Sequence, residues 1–316
     1  MSASSSTSEK AGPVLSILIV NFNSTRLLGE CLDALAQSTI ADRLETIVVD
    51  NASSGFDEYA MKRAYPGVRW LPQSANTTYT GGNNIAFDHS RAELILMLNP
   101  DTRVEPEALE RAVMHMQASR GIVGLGAYLV GPDGKLQRYY RRLPQFEDLP
   151  VMLFERLLKN TQRGRRYLML DETFESPTEV PQPPGAFLLF RRSVVGARLL
   201  DAEYFNFMSD LELCDRLNRA GPLIVFPDVR CHHLRGGAGV GTADSVSRLR
   251  LYQDLTWGVR RYFFARVGMG RRAVLNAMLI PYWIIRVVRL AITRPTELPS
   301  AVGMAASALS GRPPRY

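Results

Sequence analysis

Three largely apolar runs in the first hundred residues each stop at polar side chains, and this restricts the fold more than any other feature of the chain. Residues 14–20 lead into Asn21, Phe22, Asn23 and Ser24; residues 45–49 lead into Asp50, Asn51, Ala52 and Ser53; residues 93–98 lead into Asn99, Pro100 and Asp101. Runs that are apolar at successive positions are strands covered on both faces, as in parallel sheets. Between them, Leu27, Leu28, Cys31, Leu32 and Leu35 recur at helical spacing within residues 25–38. Residues 56–65, 81–92 and 105–118 read as further helices, and 68–71 as a short strand. Alternating strands and helices define an α/β fold with a mostly parallel central sheet. Ligands of such sheets bind beyond the carboxyl ends of the strands, so the polar stops are the candidate site.

Past residue 125 the pattern loosens. Residues 128–138 read as a hairpin around Gly131-Pro132-Asp133-Gly134. A helix is expected over 148–160, a strand over 185–190, a helix over 209–220, and a strand over 223–226 ended by Pro227. From about 243 the chain is helical and basic. Residues 1–13 are Ser-rich, lack the basic-then-apolar order of a signal peptide, and read as a disordered leader.

The formal net charge of +7 rests almost entirely on Arg, since only Lys10, Lys62, Lys135 and Lys159 are lysines. Such an excess fits nucleotide phosphates, an acidic membrane surface or nucleic acid. Arg-rich stretches at 138–142 and 163–166 come with no nucleic-acid-binding motif, so nucleic acid is not an expected partner. Cys31, Cys214 and Cys231 show neither metal spacing nor a disulfide framework, which points to a reducing, cytoplasmic setting.

Asp101 sits at a strand end with Asn99 beside it, where a hard carboxylate suits Mg²⁺ or Mn²⁺; the same run also reads as a strand capped by an Asx-Pro turn. Asn21, Asn23, Asp50 and Asn51 precede helices whose free N–H groups attract anions. Asp50 is placed to accept from the imide N–H of uracil or thymine, while Ser24 and Ser53 also read as plain helix caps. Gly81 and Gly82 allow close backbone approach before Asn83 and Asn84. No GxGxxG or Walker pattern is present, which disfavours dinucleotide enzymes and P-loop NTPases. Asp210 and Glu212 open a helix after an aromatic run, Asp210 being a candidate general base. His232 and His233 follow a strand and are candidate metal ligands.

In this order, these segments resemble family 2 glycosyltransferases of the GT-A fold, and within them the rhamnosyltransferase-like enzymes of bacterial polysaccharide and cell-wall assembly. The resemblance covers roughly 14–240. It rests on 16–23, 48–53, Gly81 to Asn84, Asn99 to Asp101, Gly185-Ala186 before Arg191-Arg192-Ser193, and the Asp210 segment. It implies a catalytic domain over 14–242, with a nucleotide-sugar half (14–125) and an acceptor half (126–242); beyond it, residues 243–316 read by their own pattern as a region of basic amphipathic helices. It implies that Asp50 meets the nucleobase, Asn51 the ribose, and that Asn21, Asn23, Gly82, Asn83, Asn99 and Gly185 line the donor site. Asp101 is then the carboxylate of the metal motif, Asp210 the catalytic base, and His232 or His233 a late ligand to metal or diphosphate. Two departures stand out: Ser209 replaces the usual Glu before the base, and Thr78 lies where Gly is frequent.

The expected reaction is inverting transfer of a hexose, with dTDP-rhamnose the favoured donor, onto a glycan or polyprenyl-diphosphate-linked glycan. Residues 273–292 are apolar but interrupted by Pro281, Arg286 and Arg289. Each central Arg opposes membrane insertion by about 2.5–3.5 kcal/mol. An interfacial helix on an anionic inner membrane surface is therefore expected, with packing on the catalytic domain or in a homodimer as the competing use. Two other classes compete overall: a nucleotidyltransferase, which would carry a Gly-rich basic loop in place of Asn21 to Ser24, and a non-catalytic sugar-nucleotide-binding protein.

Overall fold

The computed structural model describes residues 12–234 and 245–314. Most of the expected leader, and the boundary expected at 242–243, lie outside the described residues. One nine-stranded sheet organises the rest: β1 (Leu15–Asn21), β2 (Leu44–Asp50), β3 (Arg69–Pro72), β4 (Leu94–Leu98), β5 (Thr102–Val104), β6 (Gly124–Val130), β7 (Thr178–Glu179), β8 (Phe187–Arg191) and β9 (Leu223–His233). The order is β3-β2-β1-β4-β8-β6-β9-β5, with β7 on β9. β1, β2, β3, β4, β6 and β9 run one way and β5, β7 and β8 the other, so the sheet is mostly parallel.

Strand alternation divides the core between the two faces. Leu15, Ile17 and Ile19 of β1, Leu94, Leu96 and Leu98 of β4, and Phe187 and Leu189 of β8 face one side. There α1 (Thr25–Ala36) and α4 (Ala108–Ala118) cover them with Leu28, Leu32, Leu109 and Met116. Leu18, Ile95, Met97, Leu188 and Phe190 face the other side. α2 (Glu58–Ala64) lies before β3; α3 (Thr78–Asp88) and α9 (Ser209–Asn218) pack Phe87, Leu213 and Leu217 onto the second face. The connection from β6 to β9 carries α5 (Leu149–Leu153), α6 (Glu155–Leu158), α7 (Gln162–Tyr167) and α8 (Arg192–Val195). The three cysteines are buried and free.

The C-terminal helices are α10 (Ser245–Phe264), α11 (Met269–Thr293) and α12 (Leu298–Leu309). They close a separate cluster with α5 and the start of α9, where Leu279, Tyr282 and Trp283 meet Leu149, Leu211, Tyr262 and Ala305. α11 runs through Pro281 unbroken, and by length and composition alone it could cross a membrane.

Four local expectations change. The 128–138 hairpin reduces to one bridge, Val130 with Leu136, and two backbone hydrogen bonds, from the Gly131 amide to the Lys135 carbonyl at 2.7 Å and from the Gln137 amide to the Leu129 carbonyl at 2.9 Å; beyond them the Tyr140 hydroxyl accepts from the Leu129 amide and donates to the Ala127 carbonyl. The helix over 148–160 is broken where Phe154 leaves the helical region (φ −126°, ψ 41°). β9 does not stop at Pro227. The register with β6 jumps from Ala127↔Phe226 to Tyr128↔Arg230, and Pro227, which has no N–H to donate, lies in that bulge. The helix read as opening at 81 begins at Thr78.

Gly82 therefore lies inside α3. A Cβ there would come within 2.8 Å of Val20 Cγ1, so this glycine sets the approach of α3 to β1. Gly82→Ala should lower stability by about 1–3 kcal/mol through overpacking, outweighing the roughly 0.5–1 kcal/mol that Ala gains in a helix. Denaturant melts of Gly82→Ala in the Val20→Ala background should show a smaller loss.

Candidate active site

β4 ends at Leu98, and the turn that follows is tied down on both sides. The Asn99 amide donates to the Ala186 carbonyl at 3.0 Å, and the Asn99 carbonyl accepts from Thr102 Oγ1 at 2.7 Å. β5 then pairs antiparallel with the end of β9, Thr102 opposite His233 and Arg103 opposite His232. The Leu234 amide donates to the Asp101 carbonyl at 2.9 Å. This brings His233 Nε2 to 3.4 Å from Asp101 Oδ1. Successive strand residues face opposite sides, so His232 points away, with Nε2 3.4 Å from Glu105 Oε1. Of the two histidines expected as ligands, the structure brings His233 alone to Asp101.

His233 is oriented from behind. Its Nδ1 lies 2.8 Å from Gln137 Oε1, and Gln137 Nε2 donates to the His233 carbonyl at 2.9 Å. A carbonyl only accepts, which fixes the amide orientation; Oε1 must then accept from Nδ1–H. In the neutral ring the Nε2 lone pair consequently faces the Asp101 carboxylate. An oxygen and an imidazole nitrogen held this way, with outer support from Gln137, form a donor pair suited to Mn²⁺ or Mg²⁺. No group of three or more His, Cys, Asp or Glu able to hold a metal occurs among the described residues. The protein offers two donors, and a bound diphosphate would have to supply others.

Asp210 lies in the first turn of α9, where its Oδ1 accepts from the Leu211 amide at 2.9 Å. A Cβ on Gly185 would lie 3.2 Å from Asp210 Oδ2, so Gly185 leaves the approach to that oxygen open. Gly185 adjoins Ala186, the anchor of the Asn99 turn, so one backbone segment connects the Asp101 and Asp210 clusters. Burial raises the Asp210 carboxyl above its ordinary range, and the Arg141 guanidinium, paired to Glu155 at 2.9 Å, opposes that rise. Tyr79 adds its hydroxyl 3.5 Å from the Gly185 carbonyl.

The expected donor residues divide into those that are accessible and those that position others. Asp50 is only 2% exposed. Its Oδ1 accepts from Asn21 Nδ2 and Ser53 Oγ, both at 2.7 Å, and its Oδ2 accepts from the Ser53 amide at 3.0 Å. Asn21 is fully buried, so it orients Asp50 and does not reach a ligand; its Oδ1 has no hydrogen-bond partner among the described residues. Asn23 is exposed with φ 54°, which Asn tolerates, and its Oδ1 accepts from the Ser54 amide at 2.9 Å. Asn51 is buried; Nδ2 donates to the Thr78 carbonyl at 2.8 Å, and Oδ1 accepts from Thr77 Oγ1 at 2.6 Å. Asn83 is buried against the Tyr79 carbonyl at 2.9 Å. Asn51 thus ties down the entry to α3, Asn83 bonds within α3 itself, and a Cβ on Gly82 would face Val20.

Thr78 does what the usual glycine would do. It adopts φ 68° despite its branched Cβ, a geometry costing roughly 1–2 kcal/mol. Asn76 Oδ1 holds its amide at 2.7 Å, and Asn206 Oδ1 holds the Tyr79 amide at 3.0 Å. Gln137, Tyr79, Arg141 and Asn206 were not singled out from sequence. Arg141 lies inside the Arg-rich stretch 138–142, weighed in the sequence only against nucleic-acid binding, and Gln137 inside the segment read as a hairpin.

A curled, mostly parallel sheet, with an Asp at the end of β4 facing a His from β9 and a carboxylate opening a helix after β8, defines a glycosyltransferase of the GT-A fold. The sequence model described as glycosyl transferase family 2 matches residues 16–198, and the chain belongs to that family. It is 26% identical over 260 residues to N-acetylglucosaminyl-diphospho-decaprenol L-rhamnosyltransferase of Mycobacterium tuberculosis, covering 77% of this chain and 83% of that one. Over 114 residues it is 31% identical to the low-salt glycan biosynthesis hexosyltransferase Agl10 of Haloferax volcanii, covering 34% and 35% of the two chains. Among solved structures it resembles the mannosyltransferase PcManGT of Pyrobaculum calidifontis, in complex with GDP-Man and Mn²⁺. That match has a TM-score of 0.54 and 16% identity, covering 96% of this chain and 88% of that one. It also resembles S. aureus TarS 1–349 (TM-score 0.51, 13% identity, 94% and 92% covered).

Proposed function

We propose that the protein is an inverting glycosyltransferase that moves a hexose from a nucleoside diphosphate onto a hydroxyl of a polyprenyl-diphosphate-linked glycan. dTDP-rhamnose is the favoured donor, a choice supported by the mycobacterial rhamnosyltransferase relative. The observation that carries the reading is the placement of Asp210 against Gly185, one residue from the backbone that anchors the Asp101–His233 pair. Asp210 accepts the proton of the acceptor hydroxyl; the acceptor oxygen bonds the anomeric carbon as the bond from that carbon to the diphosphate oxygen breaks on the opposite face. Asp101 and His233 would hold a Mg²⁺ or Mn²⁺, which supplies charge neutralisation for the leaving diphosphate. Asn23 and Asp50 position the nucleoside end, and the Asn51-braced loop shapes the wall beside it.

Asp210→Asn should bind donor yet lose turnover by at least about 10²-fold. Because burial raises the carboxyl, its base form appears only above the ordinary carboxylate range. kcat/KM should therefore fall, as pH is lowered, at a higher pH than an exposed Asp would give. The sign for stability is opposite: a folded pKa above the unfolded one means that stability is lost as pH rises through this interval. Asp210→Asn should accordingly melt no lower than wild type at neutral pH. Unchanged turnover in Asp210→Asn would overturn the assignment.

For the cation, titration of Mn²⁺ with dTDP by calorimetry or electron paramagnetic resonance should show weaker binding in Asp101→Asn and His233→Ala, and wild-type binding in His232→Ala. Equal losses in both histidine variants would remove His233 from its special place.

α11 supports a membrane-bound acceptor. One of its faces is packed into the protein through Leu275, Leu279, Tyr282 and Trp283, while Val274, Ile284, Ile285, Val288 and Ile292 are exposed on the other. The helix has no acidic residue and carries Arg271, Arg272, Arg286 and Arg289. A helix docked along one side lies beside the domain, so its free face suits the interface of an anionic inner membrane leaflet. The enzyme should float with vesicles containing phosphatidylglycerol, and Ile284→Glu/Val288→Glu should release it. A dimer that forms equally in both proteins, with no flotation of either, would overturn the membrane reading.

A further inference from the structure

Arg260 of α10 is 6% exposed. Its Nε donates to Asn276 Oδ1 at 3.0 Å, its Nη2 to the Leu309 carbonyl at 2.8 Å, and its Nη1 to the Ala308 carbonyl. All three acceptors are neutral, and no carboxylate pairs with this guanidinium among the described residues. Burial without a counter-charge pulls its pKa below the usual value. Buried charges ordinarily have a charged partner or a ligand.

Arg260 lines a cleft of about 720 Å³ between α9, α10 and the end of α12, within the size range of small-molecule sites. The other guanidiniums in its wall are Arg216, Arg219, Arg261 and Arg266. Arg216 pairs with Glu212 at 2.9 Å, Arg261 with Asp201 at 2.8 Å, and Arg219 and Arg266 share the single carboxylate of Asp215. Arg261 also lies 3.7 Å from Glu203. The cleft is thus left with positive charge that the described residues do not neutralise. Glu212, also in the wall, turns Oε1 to Arg216 while its Oε2 is buried with no hydrogen-bond partner among the described residues. That oxygen needs a donor, which a hydroxyl carried beyond the phosphate supplies. The aromatic rings of Tyr204, Trp257 and Phe264 complete the wall.

We propose that this cleft is a second binding site, for a phosphate-bearing polyol whose phosphate meets Arg260 and whose hydroxyl donates to Glu212. It is separate from the donor pocket: Asp210 and Glu212 are two residues apart on α9 and so about 200° apart around it. The proposal does not rest on the glycosyltransfer reading. The same chemistry is offered by a soluble sugar phosphate and by a glycerophospholipid headgroup.

The test uses the full chain in EDTA, titrated calorimetrically with glycerol 3-phosphate, inorganic phosphate and glycerol. Glycerol 3-phosphate should bind tighter than phosphate, and glycerol should not bind. Arg260→Gln should weaken glycerol 3-phosphate about tenfold or more, the scale of a charge-assisted contact. Arg260 also ties the end of α12, so Arg219→Glu serves where Arg260→Gln fails to fold. That side chain is mostly exposed, and its reversal should weaken binding about threefold, less as salt is raised. Asp101→Asn should bind like wild type. Vesicles of phosphatidylcholine with phosphatidylglycerol, from which glycerol 3-phosphate displaces the protein, would identify a headgroup; solution binding without displacement would identify a soluble ligand. No binding of glycerol 3-phosphate at about 10 mM, binding unchanged in both arginine variants, or binding lost in Asp101→Asn would overturn the proposal.

Discussion

The antiparallel pairing of Thr102–Val104 with the end of Leu223–His233 is the contact on which the site depends. It joins residues some 130 positions apart in sequence and sets which side chain of β9 faces the end of β4. A one-residue slip would present His232 to Asp101 and turn His233 to Glu105, since neighbouring strand residues face opposite ways. The Leu234 amide on the Asp101 carbonyl and the Gln137 amide on His233 oppose that slip from both sides. The loop closed by this pairing is long, but closure entropy grows only logarithmically with length. Once β6 and β8 have brought β9 into the sheet, little is left to order.

The first half of the chain was readable because its local and tertiary demands agree. Strands buried on both faces need nearly unbroken apolar runs, and 14–20 and 93–98 supply them; Leu28, Cys31, Leu32 and Leu35 give α1 its buried face. The second half was less readable because long-range pairing overrides local signals. Pro227 looks like a strand terminator and is one only where the ladder needs its N–H; in a bulge it costs nothing in pairing. The His232-His233 dipeptide carries no record of which ring turns inward, since that depends on the bulge upstream. Gly82 looked like a ligand-facing glycine, yet the atom that demands it is Val20 Cγ1. Asn21 and Asn83 sit among ligand-facing residues in sequence, but each is spent on its own backbone or on a neighbouring carboxylate.

Those buried asparagines stiffen the loops at the ends of β1 and β2. Asn21, Asn51 and Asn206 each bond a different loop, so the turn after β2, the entry to α3 and the entry to α9 are held to one another by side chains and not by packing alone. Thr78, kept in a left-handed conformation that its branched side chain resists, shows the strength of that bracing. Polar networks of this kind favour one loop arrangement over alternatives that would strand further donors or acceptors.

The buried thiols report on this architecture from within. Burial lifts the Cys31 thiol to about 12, and Cys31 Sγ lies 3.8 Å from Thr102 Oγ1, on the short strand that carries the Asp101–His233 junction; Cys231 is paired opposite Val104. Cys214 belongs to α9 itself and packs against the other face of the sheet. An alkylating reagent reacts with thiolates, so none of the three is labelled until its own neighbourhood opens. Cys31 and Cys231 then clock the parting of β5 from β9, and Cys214 the lifting of α9. The protein thus carries two internal timers, one for each half of the candidate site.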